Sequence, residues 1–403
     1  ERLYFCANKV FRSEDRGNSW TVISDDLSKN IDRNGLKTMG EVQSIDAVML
    51  NKSTSIYGNI VAFSESPLQE NLLYAGTDDG NIHRSDDGQN WTALTWPKDA
   101  PDNVYVNDIK ADMHDANTVY LLLNNHKNGD FKPYIYKSTD KGKSWTSIAG
   151  NLPERGSVYS LAQDHMKDDL LFVGTEFGIF TSIDAGANWA QLKGGLPTIA
   201  IRDIDLQRDE DDIVVATFGR GFYVMDDYSP LREMTEDTKK EEIKIFGIRD
   251  GLVFAQNSKY GYGGAGFQGA SFWLGDNPEM GTTITYYLKE APKSLKAQRQ
   301  ANEKELVKAG ESVSYPNLEM LHAEDDEEAN YMLVQIFNAD GEEVRRMTKK
   351  PSAGIHRLVW DGRLGSNASL SERGAPFTKQ NAANMALPGV YSVQLSMSTN
   401  GKV

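Results

Sequence analysis

The apolar positions of this chain come in short runs separated by turn-forming residues, and few recur at helical spacing. The stretches "LLYAGTDDGNIHRSDDGQNW" from Leu72, "LLFVGTEFGIFTSIDAGANW" from Leu170 and "IVVATFGRGFYVMDDYSPL" from Ile213 can be laid over one another. Each reads as an apolar strand, a Gly-containing turn, a second strand and an Asp-containing turn. Upstream of each lies a further apolar segment: "YGNIVAFSESP" at Tyr57, "VYSLAQDH" at Val158 and "IAIRDIDLQ" at Ile199. Another unit runs from "VNDIKADMH" through "TVYLLLNNHKNGDFKPYIYKSTDKGKSW". Four short strands per unit, repeated every roughly 40 to 50 residues, predict the blades of a β-propeller. The chain supplies four such blades, and it begins inside the second strand of a fifth at "LYF".

Within the repeat, Ser13, Asp15, Gly17 and Trp20 share the spacing Ser-x-Asp-x-Gly-x-x-Trp with Ser138, Asp140, Gly142 and Trp145, and with Ser182, Asp184, Gly186 and Trp189. A fourth copy keeps Asp86, Gly88 and Trp91 at the same offsets, but its Ser85 stands one residue closer to the Asp. If the strands of a blade are lettered a to d from the propeller axis outward, the motif spans the c–d turn. In an antiparallel meander the a–b and c–d turns share one face, while the b–c turns and the links between blades share the other. The expected role is structural: hydroxyl and carboxylate bond within a tight turn, Gly takes positive φ, and Trp packs in the outer blade.

Composition narrows the function classes. A chain of 403 residues is expected to hold two or three domains. Its net charge of -15 argues against nucleic acid or an anionic membrane as the main partner. No apolar run reaches the roughly 18 residues of a membrane-spanning helix. With Cys6 alone, neither an intrachain disulfide nor a cysteine-based zinc site can form. The six His are scattered, without a His-Glu-x-x-His pair, so no metal and no cofactor are expected. Both ends read as interrupted strands, and the expectation is a portion of a longer chain.

The Ser-x-Asp-x-Gly-x-x-Trp spacing resembles the Asp-box, or BNR repeat, of sialidases, sortilin-type receptors and two-propeller xyloglucanases. The phrases "GTEFGIF", "KGGLPTIAIRDIDLQ" and "ATFGRGFYVMDDYSPLRE" resemble bacterial sortilin-like or glycosyl-hydrolase-like proteins, over roughly residues 1 to 235. The resemblance implies an Asp-box propeller, C-terminal portion, from a secreted or cell-surface bacterial protein. It does not imply one activity. Two stretches depart from the pattern. The last unit ends "MDDYSPL", so Asp226 and Asp227 close a degenerate turn, and Ser24 to Ser55 is too long for an ordinary link and is expected to lie over the ligand face.

After Arg232 the composition changes. Residues 233–244, "EMTEDTKKEEIK", read as a charged connector, and 245–403 as an Ig-like β-sandwich built from "TTITYYLKE", "YMLVQIFNADGEEVRRM", "GIHRLVWDG" and "GVYSVQLSM". The stretch "PKSLKAQRQANEKELVKAG" predicts one exposed helix inserted between strands, while "HAEDDEEAN" reads as a solvated charge run. The glycine-rich "KYGYGGAGFQGA" lacks the ending of a phosphate loop and reads as a plain loop.

Candidate chemistry belongs on the b–c face. The residues expected there are Tyr57, Asp78, Asp108, His126, Tyr159, Glu176, Arg202, Asp203 and Arg220; His126 stands in the long b–c crossing that also carries Lys127, Asp130 and Lys132. Asp108, Glu176 and Asp203 offer the two carboxylates that glycoside hydrolysis requires. Arg202, Arg220 and Tyr159 form no recognisable sialidase motif. The expected function is binding of a peptide, protein or glycan across this face, with glycoside hydrolysis, sialidase-like or xyloglucanase-like, as the alternative.

Overall fold

A computed structural model describes residues 2–38, 40–48, 50, 52, 56–254, 279–365, 384–400 and 402. The glycine-rich loop anticipated at Lys259 to Ala270 lies outside these residues. The chain folds as two compact units, Glu1–Arg232 and Glu233–Val403.

The first unit is a row of antiparallel sheets. The leading sheet holds β1 (Leu3–Cys6), β2 (Val10–Ser13) and β3 (Thr21–Val22), which are strands b, c and d of a blade. In the segment that follows, β4 (Lys37–Thr38) and β5 (Glu41–Val42) form a small hairpin. Three four-stranded blades come next. They are β6 (Ile60–Glu65), β7 (Leu73–Thr77), β8 (Ile82–Ser85) and β9 (Trp91–Ala93); β10 (Tyr105–Ala111), β11 (Val119–Asn124), β12 (Tyr134–Ser138) and β13 (Thr146–Ser147); and β14 (Val158–Gln163), β15 (Leu171–Thr175), β16 (Gly178–Ser182) and β17 (Ala190–Leu192). The last sheet has three strands, β18 (Ile201–Gln207), β19 (Asp212–Thr217) and β20 (Phe222–Met225). Where a fourth strand was expected, Asp227 instead accepts from the Ser229 N–H and hydroxyl, starting a 3-10 turn over Ser229–Glu233.

In the three middle blades strand b is buried on both sides, because each of these blades is sandwiched between neighbours. All of β11 and β15 is buried, which is why both read as unbroken apolar runs. The side chains alternate between neighbours. Tyr120 and Leu122 pack toward the following blade with Leu161 and Val173, whereas Leu121 and Leu123 pack back against Tyr74 and Val106.

Each inner strand carries one extra residue. The pairing skips between Ile60 and Ala62, Val106 and Asp108, Val158 and Ser160, and Ile201 and Asp203. Val61, Asn107, Tyr159 and Arg202 are therefore equivalent β-bulge residues, all at the end of strand a that lies beside the b–c turns. A bulge releases a side chain from the ladder and re-aims it.

The Asp motif forms the c–d turn. Ser13, Ser138 and Ser182 each donate to their Asp at 2.8, 2.7 and 2.7 Å and accept from Gly17, Gly142 and Gly186 N–H at 2.7, 2.8 and 2.8 Å. The turns lie beside the a–b turns: Lys141 N–H donates to Asn117 O, and Ala185 N–H to Asp169 O. Gly serves two needs. Gly186 has φ +93°, and a Cβ there would come within 2.9 Å of Ile148 in the preceding blade.

One assignment requires correction. In the fourth copy the acting carboxylate is Asp87, not Asp86: Ser85 donates to Asp87 at 3.1 Å, and Asp87 accepts from Gln89 and Asn90 N–H. The turn is one residue shorter between Asp and Gly. Asp86 points aside to Arg84 and Lys141.

The second unit is a sandwich of two three-stranded antiparallel sheets. One contains β21 (Ile243–Ile245), β22 (Thr282–Leu288) and β25 (Gly354–Trp360), in that order; the other has β23 (Tyr331–Phe337) between β24 (Glu343–Lys349) and β26 (Ser392–Ser398). Ile284 and Trp360 of the first meet Ile336, Val344 and Val393 of the second. The expected connector is not bare. Thr238 and Met234 are buried, and Ile243 and Lys244 already belong to a strand. The inserted helix α1 (Leu295–Lys308) is joined by a second, α2 (Leu318–Asp325), where a solvated charge run was expected. Asn317 caps α2 by accepting from Met320 N–H at 2.8 Å, and Arg299 binds Glu324 through two bonds of 2.6 and 2.9 Å.

Candidate functional site

On the b–c face the bulges of neighbouring blades touch. Asn107 donates its amide to the Val158 carbonyl, just before Tyr159. Tyr159, only 7% exposed, lies beneath the Arg202 guanidinium, whose centre is 3.9 Å from the ring centroid. The other neighbour of that guanidinium is the ring of Phe218, at 5.1 Å. The Tyr159 hydroxyl donates to Glu176 in the b–c turn of its own blade. Burial first, then the bond to Glu176, pushes the Tyr159 hydroxyl up to about 12, so it remains a donor at neutral pH.

The long b–c crossing adds His126. Asn124, itself buried, accepts from His126 N–H at 2.9 Å and holds the ring Nδ1 at 2.5 Å. Burial, with the charges of Lys127 and Arg202, pushes the imidazole below its ordinary range, which favours the neutral ring. Lys127 reaches over Tyr105 at 5.3 Å. Within the same loop, Asp130 accepts from Tyr134 at 2.6 Å and from Asn125 at 3.0 Å. These bonds give the nine-residue crossing between β11 and β12 an internal frame.

Of the nine residues expected on this face, the structure gathers Tyr159, Glu176, Arg202 and His126 around one point. The others stand apart. Asp78 accepts from the N–H groups of Gly58 and Asn59, both at 2.9 Å, and so anchors the entry to its own inner strand. Tyr57 is half-buried beside it. Asp108 accepts from Leu161 N–H of the next blade at 3.1 Å, and Asp203 from Ile204 N–H at 2.9 Å. Both carboxylates thus cap free N–H groups on the exposed edge of an inner strand, as Ser64 does for Ala111. Arg220 is exposed in the last b–c turn.

Burial pushes the Asp108 carboxyl up to about 6, with Asp203 adding to the rise and Lys110 opposing it. The start of the long segment after the leading blade is fastened to this face: Lys29 N–H donates to Asp79 at 2.7 Å, and its ammonium to Asn103 at 3.0 Å. Among the described residues no cluster of His, Cys, Asp and Glu is arranged to hold a metal ion, and no helix is long and apolar enough to cross a membrane.

Sequence reasoning missed Phe218 and Asn107. Phe218 occupies the repeat position of Asp78 and Glu176, the first residue after strand b, and its N–H donates to Ala200 O as theirs do to Asn59 O and Ser157 O. Superposing "GTDD", "GTEF" and "ATFG" was enough to find it.

No family model matches the chain. It is similar to the xyloglucanase Xgh74A of Acetivibrio thermocellus, with 29% identity over 147 residues, covering 33% of this chain and 17% of that protein. A xyloglucanase of Hypocrea jecorina is 26% identical over 141 residues, covering 31% and 17%. The matched stretch is thus a small share of the relatives' own length. Among solved structures, the GH74 xyloglucanase of Xanthomonas campestris covers 54% of this chain and 32% of its own, at 15% identity and a TM-score of 0.37. YCF48 bound to D1 peptide covers 41% and 49%, at 17% identity and 0.33. The chain is thus a partial sequence match to xyloglucanases, over about a third of its length.

Proposed function

We propose that this chain is the ligand-binding part of an exported or cell-surface propeller protein, taking a peptide, protein or glycan on its b–c face. One observation carries the reading: a guanidinium held between two aromatic rings, above a Tyr–Glu pair, on bulges and turns of a rigid ladder. Arg202, Tyr159, Glu176 and Phe218 come from two blades, so the scaffold fixes their spacing before a ligand arrives. The Asp-box turns lie on the opposite face and serve architecture. The test is photo-crosslinking. With a benzophenone side chain at Phe218 the chain should capture its ligand; with the same group at Asn188, in an Asp-box turn, it should not. Capture at Asn188 alone would move the site to the other face.

A second reading is glycoside hydrolysis, supported by the Asp108 carboxyl raised to about 6, a value suited to holding a proton. Release of reducing sugar from xyloglucan, abolished by Asp108→Asn and not by Arg202→Ala, would favour it over binding alone.

A further inference from the structure

We infer that the Arg202 shelf selects a carboxylate-bearing peptide segment; this rests on the reading of the b–c face as the ligand face. Among the described residues the Arg202 guanidinium enters no ion pair, its neighbours being the Tyr159 and Phe218 rings, although Glu176, bonded to Tyr159, stands nearby. Glu176 takes its hydrogen bond from Tyr159 instead. Two rings therefore flank the guanidinium while no ion pair commits its N–H fork among the described residues, an arrangement suited to a bidentate carboxylate.

The surroundings support an anion. Lys29 lies 5.6 Å from the Trp96 ring, Lys127 5.3 Å from Tyr105, and Arg155 5.6 Å from Phe131, all on inter-blade links or b–c crossings. Arg220 is exposed on the same face. The carboxylates on this face are already engaged: Asp78, Asp108 and Asp203 accept from backbone N–H groups, and Glu176 from the Tyr159 hydroxyl.

The neighbouring rings favour a peptide over an acidic sugar. Phe218, Phe177 and Phe222 are 68, 44 and 77% exposed, and each lies in or beside a b–c turn. Phenylalanine offers neither hydroxyl nor N–H to a sugar's hydroxyl groups, but it accepts apolar side chains alternating with acidic ones.

The experiment is fluorescence anisotropy on the 403-residue chain with three labelled probes: a Glu-Phe-Glu-Phe-Glu peptide, its Gln-for-Glu counterpart, and an oligogalacturonate. The acidic peptide should bind roughly tenfold more tightly than the Gln peptide, and weaken as salt rises. Arg202→Ala should remove that preference, and Arg202→Lys should restore only part of it, because an ammonium keeps the charge without the fork. Equal binding of the two peptides, no binding of the acidic one at millimolar concentration, or tighter binding of oligogalacturonate would each overturn the inference. If Phe218→Ala weakens the Gln peptide or the sugar while Arg202→Ala does not, the face stands and only the ligand class fails. If no probe's binding responds to substitution at Tyr159, Arg202 or Phe218, the reading of the face itself falls.

Discussion

The indole N–H of Trp189 donates to the carbonyl of Ile148 at 2.8 Å, and Ile148 belongs to the preceding blade. The same bond recurs from Trp91 to Ile23 O at 2.8 Å and from Trp145 to Thr95 O at 2.7 Å. The Trp of the motif therefore ties one blade to the one before it, and is more than filling for its own sheet. Trp189 is 5% exposed; Trp20, in the leading sheet, is 44% exposed.

Trp189→Ala should cost about 3–5 kcal/mol through the cavity it leaves. Trp189→Phe keeps most of the packing and should cost less, about 1–2 kcal/mol, for the Ile148 carbonyl left without its donor. Chemical denaturation of the two variants checks the order; a negligible loss in Trp189→Phe would mean that the bond contributes nothing beyond volume.

Acid should loosen the c–d turns before it reaches the inner strands. The Ser19 N–H and hydroxyl hold the Asp15 carboxyl down to about 2, and the Ser144 hydroxyl and N–H do the same for Asp140. A carboxylate whose pKa is lowered on folding stabilises the fold fully above its unfolded value and loses that contribution as pH falls. The loss should run from about pH 4 to about pH 2. Hydrogen exchange of the Ser19 and Ser144 amides should rise across this window relative to those of β15, after correction for intrinsic rates.

Asp108 titrates with the opposite sign. Its pKa is raised on folding, so its contribution is fully present below about pH 4 and is lost as pH rises through about 6. Asp108→Asn, which retains an acceptor for Leu161 N–H, should therefore raise the melting temperature at pH 8 and have little effect at pH 4. A variant less stable at pH 8 would show that the ionised carboxylate is favoured there.

Arg232 bonds two carboxylates at once, Asp164 at 2.7 Å and Asp211 at 2.5 Å, and the Asp164 side chain is fully buried. Burial pulls the Asp164 carboxyl upward, but its bonds from Arg232 and Tyr228 prevail and hold it below the ordinary range. Arg232→Met should cost about 3–5 kcal/mol by leaving that charge without its cation. Adding Asp164→Asn should recover part of the loss in urea denaturation. No recovery would place the damage in packing.

The blade repeat was legible because burial on both faces of strand b leaves unbroken apolar runs, and "TVYLLLN" or "LLFVGT" admits few other readings. The bulges were not legible. A bulge belongs to the pairing of two strands, and nothing in "VYS" or "IRD" states that Tyr159 and Arg202 fall outside the ladder. Counting offsets chose Asp86 because a turn can lose a residue between its Asp and its Gly while Ser85 keeps its bond. Helix α2 escaped because its cap, Asn317, precedes a sequence whose acidic residues outweigh its weak apolar face. Phe218 is legible only by repeat alignment, because a phenylalanine stands where Asp78 and Glu176 carry charge.

The four bulges separate what the fold must keep from what it can exchange. Ile60, Val106, Val158 and Ile201 sit one residue earlier and are fully or almost fully buried, so the hydrophobic core constrains their size and shape. The residues released beside them are Val, Asn, Tyr and Arg, four unrelated chemistries in one chain at one height. At Val61 and Arg202, which are exposed, a mutation leaves the interior volume unchanged, whereas Tyr159 is itself buried. Single side chains can therefore be swapped at the exposed sockets around the mouth of the propeller without repair to the core elsewhere.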